Sequence, residues 1–254
     1  MTISGKKINF KGYKDFSDFA RPWGVKLAGY FVNSSVRASD ITLVHFGMGI
    51  VACGFIYHQQ YWPGVILLQV KNLLDAMDGS LARLQNRPSK VGRFLDSNLD
   101  FILNWILFLS IPSLNLWQKI ISCGCLIFQC SVYNYYTILF RYSRGGEQTS
   151  KIFEDSHTGY AYDNPRLVGI LFNIYKIFYL WQDKIIDYLE IKVLKRNRLD
   201  PSLKFINSIS LHGLGFQYLL LCLFLLINTS YIVFYFGILA NCILLGQLAY
   251  RKFS

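Results

Sequence analysis

Six runs dominated by apolar residues punctuate the chain: "ITLVHFGMGIVACGFIY", "WPGVILLQV", "FILNWILFLSI", "IISCGCLIFQCSVYNYYTILF", "LHGLGFQYLLLCLFLLI" and "YIVFYFGILANCILLGQLAY". Several approach or exceed the ~18 apolar residues of a membrane-spanning helix, and the shorter ones reach that length once adjoining polar helix is counted. The pattern predicts an all-α polytopic membrane protein with six spans, near 39–58, 62–82, 92–112, 116–141, 207–227 and 230–250. Two further segments are amphipathic. Ahead of the first span, Phe16, Phe19, Ala20, Trp23, Leu27, Tyr30 and Phe31 recur at helical spacing around Lys26, with Pro22 suited to a first helical turn. Between the fourth and fifth spans, a flexible "RGGEQTSK" precedes Leu167, Ile170, Leu171, Ile174, Phe178, Trp181, Ile185, Tyr188 and Leu189 on one helical face. Lys176, Asp183, Lys184, Asp187 and Glu190 interrupt that run, so 166–190 reads as a second interfacial helix. The whole is read as one membrane domain over 1–254. It comprises a lead-in (1–38), four helices (39–141), a cytoplasmic or interfacial segment (142–206) and two last helices (207–250).

Charge fixes an orientation. The chain has 254 residues and a net charge of +11, from 26 Lys+Arg against 15 Asp+Glu. In a soluble protein that balance would suggest nucleic acid, but the basic groups crowd alternate connections. They fall in 1–39, in the linker holding Arg83, Arg87, Lys90 and Arg93, in 141–206, and at Arg251 and Lys252. The opposite connections, around "HQQYWP", "PSLNLWQ" and "NTS", have none until Lys119. This asymmetry puts both termini and the basic linker in the cytoplasm, facing anionic headgroups, and no nucleic-acid partner is expected. The first apolar run begins near Ile41, too deep for an ordinary secretory signal peptide. All six cysteines lie inside apolar runs and read as small buried hydrophobes, and Cys123-x-Cys125 has no histidine beside it. His45, His58, His157 and His212 are scattered and suggest no site.

One stretch breaks the apolar pattern. Asp75, Asp78, Gly79 and Ala82 stand at i, i+3, i+4 and i+7, on one helical face, and Ser89, Gly92, Asp96 and Asp100 share a face of the next helix. A lone aspartate in a bilayer costs about 2.5–3.5 kcal/mol even on a lenient insertion scale, so four in one short stretch call for cations. Helix ends salt-bridged by Arg83 and Arg93 would answer that need for any one of them. Four on two converging faces favour a bound metal. With oxygen ligands only, the natural occupants are Mg²⁺ or Mn²⁺, singly or as a pair suited to clamping a phosphoryl displacement.

The run Asp75-x2-Asp78-Gly79-x2-Ala82-Arg83-x8-Gly92-x3-Asp96-x3-Asp100 resembles the signature of the CDP-alcohol phosphotransferases at all eight fixed positions. Six spans and an amphipathic lead-in are similar to the family over most of the chain, and "SDITL" at 39–43 resembles the segment opening its first span. The resemblance implies a transferase of phospholipid biosynthesis with its active site facing the cytoplasm. A CDP-linked alcohol, such as CDP-diacylglycerol, gives its phospho-alcohol part to an acceptor hydroxyl and releases CMP. It implies that Asp75, Asp78 and Asp96 hold metal, and that Asp100 touches a second ion and acts as general base. It places Gly79, Ala82 and Arg83 at the cytidine diphosphate, with Ser89 and Gly92 beside it and Asp40 and Thr42 reaching the nucleotide. It also implies a homodimer. Family members that take phosphorylated acceptors commonly have Lys or Arg after the last aspartate, whereas Phe101 stands here, which favours an acceptor without phosphate. Two other classes use membrane aspartates. Prenyltransferases place their motifs much farther apart in sequence, and carboxylate-relay transporters scatter such residues near the midplane, often in inverted repeats.

Overall fold

A computed structural model describes residues 10–144, 153, 159–196, 198 and 200–252, and no strand occurs among them. His157 and most of the "RGGEQTSK" segment lie outside the described residues. The lead-in helix α1 (Arg21–Phe31) has proline in its first turn, as expected. It lies across α3 (Tyr61–Leu84) so closely that a Cβ on Gly24 would come within 2.8 Å of the Ala76 backbone. Only glycine permits that approach. The side of α1 that is buried presents Arg21, Gly24 and Ala28, whereas Trp23 and Tyr30 point outward at 63% and 83% exposure.

Helix α2 (Ala38–Tyr57) starts where the Asp40 carboxylate accepts from the Arg37 backbone N–H at 2.9 Å. It turns back into α3 through Gln59, in the left-handed region. The α3–α4 turn uses Asn86, also left-handed, a conformation asparagine tolerates. Ser89 then caps α4 (Lys90–Leu109), its hydroxyl accepting from the Gly92 N–H at 3.0 Å. The cap fixes where α4 begins, and so which way its aspartates face. Asn115 caps α5 (Leu116–Ser143) in the same manner. Ile56, Leu68, Leu103, Leu107, Leu126 and Leu225 belong to the main apolar core, which joins α2–α5 to α9 (Leu214–Leu226).

The second amphipathic segment forms α6 (Pro165–Tyr175) and α7 (Trp181–Tyr188), separated by a π-helical turn at Lys176–Leu180 and followed by another at Leu189–Val193. Val168, Leu171, Phe172 and Tyr175 pack on Phe94 of α4. Most of the apolar stripe read from the sequence faces outward: Leu167, Ile170, Trp181, Ile185 and Tyr188 are exposed, while Leu171 is buried. Asp187 and Glu190, which interrupt that stripe, are buried. Asp187 accepts from Tyr135 Oη at 2.9 Å and Glu190 from Tyr136 Oη at 2.7 Å, docking the segment on α5.

The fifth predicted span is broken. α8 (Leu203–Ile209), with a 3₁₀ turn at Ser210–His212, meets α9 at a 42° bend. α10 (Ile232–Arg251) is a single rod. Among the described residues, α2 and α10 are long and apolar enough to cross a membrane, with a third crossing if the bent pair counts as one. α3, α4 and α5 have the length but carry polar residues. Cys53, Cys123 and Cys222 are buried as expected, but Cys242 is exposed on α10.

Candidate active site

The faces of α3 and α4 that carry the aspartates converge. Asp75, Asp78 and Asp96 come together with His45 of α2, one ligand atom from each lying within 4.8 Å of all the others. His45 Nε2 stands 3.2 Å from Asp78 Oδ2, 3.6 Å from Asp96 Oδ1 and 4.0 Å from Asp75 Oδ1. An ion with ligands at about 2.0–2.1 Å holds neighbouring ligand atoms about 3 Å apart and opposite ones about 4 Å apart. The three spacings from His45 fall in that interval. Asp96 Oδ1 is buried with no hydrogen-bond partner, a costly state that a cation would relieve. The residues therefore fit a divalent ion. His45 adds to the sequence reading: one of the histidines taken as scattered stands among three of the aspartates, so an ion held there would meet a nitrogen as well as oxygens. Three carboxylates still make a hard donor set, with the imidazole nitrogen favouring Mn²⁺ more than oxygen alone would.

Thr42, one turn before His45 on α2, donates from Oγ1 to Asp78 Oδ2 at 2.7 Å and so positions that carboxylate. Asp100 lies outside the four-residue group. It takes Lys71 Nζ at 2.6 Å on Oδ1, and Lys71, one turn before Asp75, is 1% exposed. Neither Lys71 nor His45 was singled out from the sequence. The available signal was a basic group and an imidazole inside predicted spans, where ionisable residues are rare and functional by default.

A cavity of about 1420 Å³ opens beside these carboxylates. Asp75, Asp78, Gly79, Ala82, Arg83, Gly92, Asp96 and Asp100 all line it, as do Thr42 and Ser89. Asp40 does not, and its carboxylate caps α2. At Gly79 a Cβ would sit 3.6 Å from both Arg83 terminal nitrogens and 3.7 Å from Arg21 Nη1, so two guanidiniums look onto the bare backbone. Arg21 is held there by Asp18 Oδ2 at 2.8 Å and the Ala76 carbonyl at 3.0 Å. Nothing in the local pattern singles out this arginine, since it reaches α3 only because α1 folds across it. Ser89 is engaged by the segment after α5, its hydroxyl donating to Asp163 Oδ1 at 2.6 Å while the Lys90 N–H reaches Asp163 Oδ2 at 2.9 Å.

The profile of the CDP-alcohol phosphatidyltransferase family matches residues 36–162, half of the chain. The chain belongs to that family. The eight signature positions are thus cavity-lining residues of a CDP-alcohol phosphatidyltransferase family member, and the matched region contains α2 to α5. The chain is similar to inner membrane protein YnjF of Escherichia coli (strain K12), 37% identical over 67 residues, 26% of this chain and 32% of that protein. It is likewise similar to the archaetidylinositol phosphate synthase of Pyrococcus horikoshii, 37% identical over 65 residues, 26% of this chain and 35% of that one. The bifunctional IPC transferase and DIPP synthase of Aquifex aeolicus matches at 32% identity over 96 residues, 38% of this chain and 22% of that one. The matched stretches span about a third or less of these relatives.

Proposed function

We propose that the chain is an integral-membrane CDP-alcohol phosphotransferase that moves a phosphatidyl group from CDP-diacylglycerol to an acceptor hydroxyl and releases CMP. The observation that carries this reading is the convergence of Asp75, Asp78 and Asp96, backed by buried His45, beside Gly79, Arg21 and Arg83 in the wall of one cavity that Asp100 also lines. Gly79 leaves room for the nucleotide to approach the backbone, and the two guanidiniums match the diphosphate oxygens. Asp100 takes the acceptor's proton, the acceptor oxygen forms a bond to phosphorus, and the bond to the CMP oxygen breaks. Asp75, Asp78, Asp96 and His45 would hold Mg²⁺ or Mn²⁺, which supplies charge neutralisation to the phosphates when bound. The side chain after Asp100 supports an acceptor without phosphate: Phe101 stacks on Phe178 at 4.2 Å and meets Tyr179 edge-on.

The same reading includes six spans, a cytoplasmic site and a homodimer. It is supported by the lengths of α3, α4 and α5, which at 24, 20 and 28 residues reach about 30 Å or more. Purified protein should bind CDP and CMP only with Mg²⁺ or Mn²⁺ present. Membranes containing it should turn labelled CDP-diacylglycerol into a new lipid with one member of an acceptor panel spanning serine, simple alcohols, inositol phosphate and glycerol phosphate. Absence of metal-dependent cytidine nucleotide binding would sink the reading, since neither a prenyltransferase nor a transporter needs it. Turnover with inositol phosphate or glycerol phosphate would overturn the acceptor assignment alone.

A further inference from the structure

Lys71 occupies an unusual place for a lysine. It lies mid-way along α3, 1% exposed, with Nζ 2.6 Å from Asp100 Oδ1 and 5.8 Å from the ring centre of Tyr218. Tyr218 is itself fixed, its hydroxyl donating to Asn104 Oδ1 at 2.8 Å. Asp100 lines the cavity and Lys71 does not, so the ammonium holds the carboxylate from within the protein rather than from the cavity. The other three aspartates gather with His45 around one point, and Asp100 is not part of that group. Sites that clamp a phosphoryl transfer with two ions hold them about 3.5–4 Å apart, and each ion needs its own set of oxygen ligands. The carboxylate that a second ion would need already has a fixed positive charge, buried where parting from it leaves both charges uncompensated.

We infer that the Lys71 ammonium takes the place of a second metal ion, so that the chain holds one divalent cation and Lys71 orients Asp100 toward the acceptor. This rests on the metal-dependent transferase reading above. Lys71 acts through Asp100 and is a positioning residue: a fixed ammonium holding the carboxylate from within the protein leaves its cavity side for the acceptor hydroxyl rather than for a metal bond.

Counting Mn²⁺ bound per chain by electron paramagnetic resonance, on purified full-length protein with CDP present, tests it without any turnover. Wild type should bind one ion. Lys71→Met, which releases Asp100 to act as a ligand, should bind two, and Lys71→Arg, which keeps the charge, should bind one. The double variant Lys71→Met/Asp100→Asn removes both members of the buried pair, folds without an orphaned charge, and should again bind one. Two ions in wild type would overturn the inference regardless of how any variant folds, and leave the transferase reading standing. One ion in Lys71→Met would overturn it as well. No ion in wild type would remove the metal reading of the site, and this inference with it.

Discussion

Asp78 accepts from Thr42 and faces His45, Asp96 keeps a buried oxygen without a hydrogen-bond partner, and Asp100 is tied to Lys71. Side chains of one chemistry therefore stand in different surroundings, and the asparagine variants of the four aspartates should fail in two ways. Asp75→Asn, Asp78→Asn and Asp96→Asn should lose Mn²⁺ binding and turnover together. Asp100→Asn should keep Mn²⁺ and CDP bound while turnover falls about 100- to 10,000-fold, the usual contribution of a general base. Equilibrium metal binding beside a CMP-release assay separates the two patterns, and near wild-type CMP release by Asp100→Asn would remove it from the chemistry. The carboxylates were legible because their spacing repeats the helical period within one short stretch. His45 and Arg21 were not, because each meets the aspartates across a helix–helix contact that no local spacing encodes.

At the level of elements, the segment after α5 is held by buried charge as well as by the apolar side of α6 on Phe94. Glu190, fully buried, accepts from Arg251 at the end of α10 (Nη2 to Oε1, 2.6 Å; Nε to Oε2, 3.1 Å) and from Tyr136 of α5. This cluster joins the C-terminal helix, the π-helical turn and α5. Removing one member of a buried ion pair typically costs about 3–5 kcal/mol because the other is left uncompensated, whereas removing both can be nearly neutral. Arg251→Met should therefore lower the thermal midpoint in detergent sharply, and adding Glu190→Gln should recover most of it. Equal melting of the single variant and wild type would show that the pair contributes nothing to docking. The sequence reading took Asp187 and Glu190 only as interruptions of an apolar run, because their partners on α5 and α10 lie far away along the chain.

For the whole molecule, the positive charge and the helix directions make one joint statement. Basic residues crowd the connections on the side where the α3–α4 turn carries Arg83, Arg87, Lys90 and Arg93, beside the mouth of the cavity they help line. With six crossings, a reporter fused after Ser254 should report cytoplasm and one inserted at Gln59 the opposite side. Both reporters on one side would refute the crossing count, and residues 83–93 outside would separate the cavity from a donor supplied in the cytosol.

The sequence by itself determined the class of the protein: helical, membrane-embedded, with the aspartates on two adjoining helix faces. These follow from composition and from periods of three and four residues, which are local properties of the chain. Only the tertiary structure decided which sides of α1 and of α6–α7 meet the protein. Their exposed sides carry Trp23, Tyr30, Ile170 and Trp181, while Gly24, Ala28, the Val168 and Phe172 side of α6 and hydrogen-bonded polar groups make the contacts. The physical reason is the solvent. Lipid tails are as apolar as leucine, so an apolar stripe does not choose protein over bilayer, and close approach of small residues and paired polar groups decides the packing instead. The same reason explains why Lys71, His45 and Arg21 found their partners only in three dimensions: in an apolar medium a polar group goes where another polar group meets it, whatever its distance along the chain.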